Sequence, residues 1–142
     1  MSQPDEYTYR SATPLDFPAI RQILVEVGMG EATPEQMLEG HVACAGGQVA
    51  GFIRVYHGYV YPVAVAPKWQ GQGLGRFLTE RALAEQGQLK LVSCTPAQPF
   101  YEAMGFSRIP MSEVDPEIAH DCEVCPDRAT CTPQAYTKSV QK

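Results

Sequence analysis

The chain has 142 residues, 44% of them apolar and 19% charged, an ordinary globular composition rather than that of a disordered chain. No apolar run approaches the ~20 residues needed to cross a bilayer, and the start MSQPDEYTYR lacks the apolar stretch of a secretion signal. A cytoplasmic protein of one domain, residues 1–142, is therefore expected, with no membrane partner, and the net charge of −5 argues against general nucleic-acid binding.

Tyr7 to Ala12 alternates as a first strand. Thr13-Pro14-Leu15-Asp16 is a helix start, with a capping residue, a proline that needs no donor, and an acid at the positive end. Ile20, Ile23, Leu24 and Val27 follow at helical spacing until Gly28 and Gly30. Thr33-Pro34-Glu35-Gln36 repeats the start signal for a short helix to Leu38. His41 to Ala45 and Gln48 to Tyr56 are strands joined by a Gly46-Gly47 turn. His57-Gly58 marks the next turn, and Tyr59 to Val65 the next strand. Pro62 inside it predicts a bulge or an unpaired stretch, because proline cannot donate to the ladder.

A glycine-dense loop then leads into a helix over Gly75 to Gln86, with Leu74, Phe77, Leu78 and Ala82 on one face and Gly87 closing it. Leu89 to Cys94 is a strand, Pro96 to Met104 a short helix, Phe106 to Ile109 a strand and Ala135 to Val140 a last strand. Between these, residues 110–133 are polar, rich in proline and cysteine, and expected to be a loop. There is no internal repeat.

The loop carries the chemistry. Gln70-Gly71-Gln72-Gly73-Leu74-Gly75 joins a strand directly to a helix start, where free N–H groups and the helix dipole make an anion site. Lys68, Arg76 and Arg81 add positive charge near it. The GxxxxGK[ST] pattern of nucleotide triphosphate loops is absent, as is the GxGxxG spacing with an acid about 20 residues on that marks dinucleotide sites.

The same hexapeptide matches the motif Gln/Arg-x-x-Gly-x-Gly/Ala and thereby resembles the GNAT superfamily of N-acetyltransferases. The preceding Val63-Ala64-Val65-Ala66-Pro67 is similar to that family's entry to the loop. Ala97 to Phe106 is similar to its short helix and Gly-Phe strand start, and the resemblance covers about Tyr7 to Val140. It implies an α+β fold, a mixed and mostly antiparallel sheet of six or seven strands with about four helices. It implies acetyl transfer from acetyl-CoA to a primary amine, of a small metabolite or amino acid, by direct attack. The pyrophosphate would then lie on Gln70, Gly71, Gln72, Gly73, Leu74, Gly75 and Arg76. The pantetheine arm would lie beside Val63 and Val65, and Tyr101 would be the general acid. A homodimer is an expectation of the resemblance alone.

The chain departs from the family pattern twice. Tyr59, Val60 and Tyr61 stand where many members carry a glutamate base, leaving Tyr59, Tyr61, water, Glu26 or Glu31 for that role. Cys94 stands where an asparagine often faces the cofactor arm. Outside the resemblance, His120-x-Cys122-x-x-Cys125-x5-Cys131 offers one imidazole and three thiols to a zinc ion, with free thiols or a Cys122–Cys125 disulfide as alternatives. Arg54 could hold a substrate carboxylate or sit on a solvated strand face. His41 and His57 read as structural, and Trp69 as packing beside the loop. A rival reading is a non-catalytic CoA-binding or metal- or redox-sensing module on the same fold.

Overall fold

The computed structural model describes residues 7–29, 31–123 and 129–140. Backbone contacts divide the chain into two compact units, Met1–Gln86 and Gly87–Lys142. The first contains β1 (Tyr7–Ser11), α1 (Phe17–Glu26), α2 (Pro34–Leu38), β2 (Gly40–Ala45), β3 (Gln48–Tyr56), β4 (Tyr59–Val65) and α3 (Leu74–Gln86). Its four strands pair in chain order, each antiparallel to the next. The turns fall where Gly46-Gly47 and His57-Gly58 predict them, with positive φ at all four residues.

The helix starts also follow their signals. The Thr33 hydroxyl accepts from the Gln36 amide at 3.1 Å, and the Gln36 side chain accepts from the Thr33 amide at 2.9 Å, a reciprocal cap. At Pro14–Asp16 the chain makes one 3-10 turn before α1 begins at Phe17.

β3 is covered on both faces. Ile20, Ile23 and Leu24 of α1 pack with Met37, Val42, Phe52 and Ala64. On the opposite face, reached from the next residue along the strand, lie Leu74 and Leu78 of α3. A Cβ at Gly51 would sit 2.9 Å from Leu78 Cδ1 and 3.4 Å from Leu74 Cδ2, so the glycine is what lets α3 come this close. Leu74 and Leu78 are almost wholly buried, each a gain of about 1.5–3 kcal/mol. They anchor the helix whose first turn forms the loop's exit.

The second unit contains β5 (Gln88–Ser93), α4 (Gln98–Ala103), β6 (Ser107–Ile109), α5 (Pro116–Glu123) and β7 (Gln134–Ser139). The last strand, β7, runs antiparallel between β5 and β6. Tyr136 and Ala135 on it are fully buried, Tyr136 opposite Leu91 and Ala135 opposite Val92.

Seven strands, antiparallel in every described pairing between neighbours within a unit, and five α-helices among the described residues give the expected α+β class. α5 was not anticipated, because residues 110–133 read as loop. The Asp115 carboxylate accepts from the Glu117 amide at 2.9 Å, Pro116 opens the helix, and Val114 and Ile118 are buried. Among the described side chains only these two apolar ones are buried there, too few to show a period in the sequence. Among the described residues no helix is long and apolar enough to cross a membrane.

Candidate active site

The loop between β4 and α3 is braced from three directions. The Gln70 side chain donates to the Val65 carbonyl at 3.0 Å, and Gln72 to the Lys68 carbonyl at 3.3 Å. From β1, the Tyr7 hydroxyl reaches the Gln72 carbonyl at 3.4 Å. These bonds consume side chains and carbonyls and leave the amides of the turn available. Gly71 and Gly73 have φ of 80° and 85°, which favours glycine, and a Cβ on either would meet nothing within 4 Å. α3 makes its first backbone bond from the Phe77 amide to the Gly73 carbonyl. The N–H groups of Leu74, Gly75 and Arg76 therefore have no acceptor within the helix. Three such amides at a helix start are the kind of donors that an anion can use.

The residues expected at the loop contribute unequally. The amide of Gln70 already donates to the Pro67 carbonyl at 3.3 Å, so Gln70 closes the loop with both its amide and its side chain. Arg76 pairs with Glu80 at 2.9 Å, Arg81 lies over the rings of Tyr9 and Phe77, and Lys68 lies over Trp69. The three cations are thus spread among separate partners.

β4 shows the bulge that Pro62 predicts. Ile53 is opposite Val63 and Val55 opposite Val60, so the β4 residues Tyr61 and Pro62 face a single β3 residue, Arg54. Arg54 is neither solvated nor open to a substrate. It is 7% exposed, donates from Nε to Glu39 at 2.8 Å and from Nη1 to the Tyr61 carbonyl at 3.3 Å, and lies over the rings of Tyr56 and Tyr61. Its guanidinium supplies a donor where proline removes one, and so fixes the bulge. Beyond the bulge the ladder resumes, with the Ala66 amide donating to the Ala50 carbonyl at 2.9 Å. Strand alternation then turns the amides of Val65 and Val63 away from β3.

In the second unit Tyr101 lies on α4, 7% exposed, packed against Phe100, Phe106 and Tyr136. Its hydroxyl has no hydrogen-bond partner among the described residues. Burial, with a smaller effect of Cys94 nearby, pushes its pKa up to about 12, so the phenol is protonated at neutral pH. The neighbouring Glu102 fixes the helix that carries it. Its carboxylate accepts from the Tyr136 hydroxyl and from Arg108, both at 2.7 Å, and these two bonds hold it below the usual carboxylate range. Gln98 ties the first turn of α4 to the Thr132 carbonyl at 2.6 Å. None of Tyr7, Glu102, Arg108 or Tyr136 was singled out from the sequence: Tyr7 and Tyr136 act through partners far along the chain, and the Glu102–Arg108 pair forms across the turn between α4 and β6, where no helical spacing marks it.

Cys94 is exposed just after β5. Of the expected zinc ligands, His120 lies in the last turn of α5 and Cys131 is half-buried. The Cys122 side chain and all of Cys125 lie outside the described residues, and among those described no three His, Cys, Asp or Glu side chains gather to hold a metal. Of the base candidates, Glu26 is exposed and accepts from Gln22 at 2.8 Å, Tyr59 is buried and Tyr61 half-buried.

Comparison with known proteins gives the class. A family model described as an acetyltransferase (GNAT) domain matches residues 38–108. An uncharacterized N-acetyltransferase of Chlorobaculum tepidum is 30% identical over 114 residues, 75% of this chain and 74% of that one. Rv2747 of Mycobacterium tuberculosis, solved with CoA and NLQ, shares the fold with a TM-score of 0.74 at 20% identity, over 94% of this chain and 99% of that one. N-acetylglutamate synthase of Neisseria gonorrhoeae, solved with coenzyme A and N-acetyl-glutamate, does so with a TM-score of 0.74 at 17% identity, over 96% of this chain. The chain spans only 35% of that synthase. The chain belongs to the GNAT superfamily. Its enzyme class is that of the acetyl-CoA-dependent N-acetyltransferases.

Proposed function

We propose that this chain transfers acetyl from acetyl-CoA to the primary amine of a small metabolite, an amino acid or amino-acid-like amine, by direct attack. The observation that carries the reading is the open, glycine-turned loop that runs into unpaired amides at the start of α3. The amides from Gly71 to Arg76 take the pyrophosphate, with about 0.3–1 kcal/mol from the dipole alone. The amides of Val63 and Val65 take the pantetheine arm. The acceptor class is supported by the gonococcal synthase, which was solved with an acetylated amino acid.

Acetyl-CoA supplies an activated thioester, and the attacking amine must first lose a proton. Tyr101 serves the departing thiolate. With its pKa pushed up to about 12 the phenol keeps its proton, whereas a thiol ordinarily titrates near ~8.5. It therefore stabilises the thiolate as a hydrogen-bond donor at the point where charge develops. Zinc on His120, Cys122, Cys125 and Cys131 is a separate expectation, and substoichiometric zinc in reduced protein would overturn it.

Calorimetric titration with acetyl-CoA, CoA and ATP, followed by an amine panel, tests the reading. Binding of both CoA forms but not ATP, with turnover on at least one amine, is expected. Folded protein that binds neither CoA form would overturn it. CoA binding without turnover on any amine would leave a non-catalytic CoA-binding module.

A further inference from the structure

A cavity of about 340 Å³ opens beside α1, lined by Arg21, Val25, Glu31 and Ala32. Its volume falls at the small end of the ~300–1,000 Å³ usual for small-molecule sites. Among the described residues, the two charged ones on its wall are of opposite sign, yet they form no ion pair with each other. Four other arginines, Arg10, Arg54, Arg76 and Arg108, each pair with a carboxylate. Arg21 lies only over the Phe17 ring, and Glu31 has no hydrogen bond or ion pair among the described residues. Two opposite charges on the wall of one cavity, not paired with each other and lined alongside by apolar Val25 and Ala32, complement a zwitterion with a modest apolar side chain.

We propose that this cavity binds a free neutral α-amino acid, Arg21 taking the carboxylate and Glu31 the ammonium. A guanidinium fork matches a carboxylate in two parallel bonds, which makes Arg21 the group that selects. The amino-terminal residue of a protein presents an ammonium but no α-carboxylate and would leave Arg21 unpaired. The site therefore discriminates a free amino acid from a polypeptide acceptor. Its use as the acceptor site rests on the acetyl-transfer reading above; the binding itself does not.

The test is a nuclear magnetic resonance titration of the CoA-saturated full chain with L-leucine, L-leucinamide and isocaproate, at a pH where both amines are charged. Leucinamide lacks the carboxylate and isocaproate lacks the amine. Leucine should bind at least about tenfold more tightly than either, the worth of one charge-assisted bond. Arg21→Ala should abolish the preference over leucinamide, and Glu31→Gln the preference over isocaproate. Both side chains are exposed, so folding is preserved and thermal unfolding confirms it. Leucine binding no better than leucinamide, or a preference that survives Arg21→Ala, overturns the proposal. If amines are acetylated but leucine shows no preference, this site fails and the acetyl-transfer reading stands. If leucine binds with both preferences but no amine is acetylated, the site stands and that reading fails.

Discussion

Arg54 and Tyr101 are equally buried, each 7% exposed, yet they live in opposite chemical company. The Arg54 guanidinium meets a carboxylate, a carbonyl and two aromatic faces. The Tyr101 ring packs against Phe106 and Tyr136, its hydroxyl feels the nearby Cys94 thiol, and it has no hydrogen-bond partner among the described residues. Leaving a buried polar group unsatisfied costs about 1–3 kcal/mol, so folds rarely keep one without use. A saturated group serves the scaffold, here the bulge of β4. On the acetyl-transfer reading, the orphaned hydroxyl of Tyr101 is held for the departing thiolate.

The sharpest way to break this contrast is to remove each polar group in turn. Tyr101→Phe should lower kcat by about 10²–10³-fold while leaving the affinity for CoA unchanged. Its stability should stay level or rise slightly, since an unpaired hydroxyl leaves the core. A variant with full activity across the pH range would sink the assignment. The raised pKa adds a second check. A tyrosine held above its unfolded value near 10 contributes stability that is complete below that pH and lost as pH climbs through about 12. Chemical denaturation should show the wild type losing stability over that window more steeply than Tyr101→Phe. Arg54→Ala should do the reverse of Tyr101→Phe, costing roughly 2–3 kcal/mol of stability. It should also raise the KM for acetyl-CoA, because the β4 backbone loses its brace at Tyr61.

Glycines sharpen the comparison at smaller scale. Gly73 and Gly87 have φ of 85° and 81°, and neither has a neighbour within 4 Å of an added Cβ. Alanine at either should cost about 1 kcal/mol through backbone conformation alone. Only Gly73→Ala should weaken CoA binding, by roughly tenfold or about 1.4 kcal/mol. Equal losses of affinity in the two variants would show that the loop's amides are not the cofactor's seat.

What could be read from the sequence was what is local. The Thr33 cap, the Gly46-Gly47 turn, the loop from Gln70 and the bulge at Pro62 each depend on residues within a few positions, and each stands where expected. The fold class followed from a resemblance carried by two such local motifs. Arg54 escaped because its partners, Glu39 and the Tyr61 carbonyl, come from α2's end and β4. β3 is covered on both faces, so no alternation marks the residue as buried or exposed. The cluster around Glu102 escaped for the same reason, since its hydroxyl partner, Tyr136, lies far along the chain on β7. α5 had a legible start in Asp115-Pro116, but its composition offered no face to predict. Arg21 and Glu31 carry no spacing signal, and only the cavity brings them together.

The smallest expected effect concerns a second saturated group. Asp16, 5% exposed, receives two bonds from the Arg10 guanidinium at 2.7 and 2.9 Å and one from the Thr13 amide at 2.8 Å. Those bonds, led by the one to Arg10, pull its pKa down to about 2. An acid held below its unfolded value stabilises the fold above that value, and the contribution disappears as pH falls through the folded one. Arg10 is itself 45% exposed, so solvent screens the pair, and the cost of Asp16→Asn at neutral pH should be only about 1 kcal/mol. In urea titrations the gap between wild type and variant should be constant above pH 5 and close toward pH 2. A gap that persists in acid would mean that the shape of the cap, and not its charge, is what the start of α1 requires.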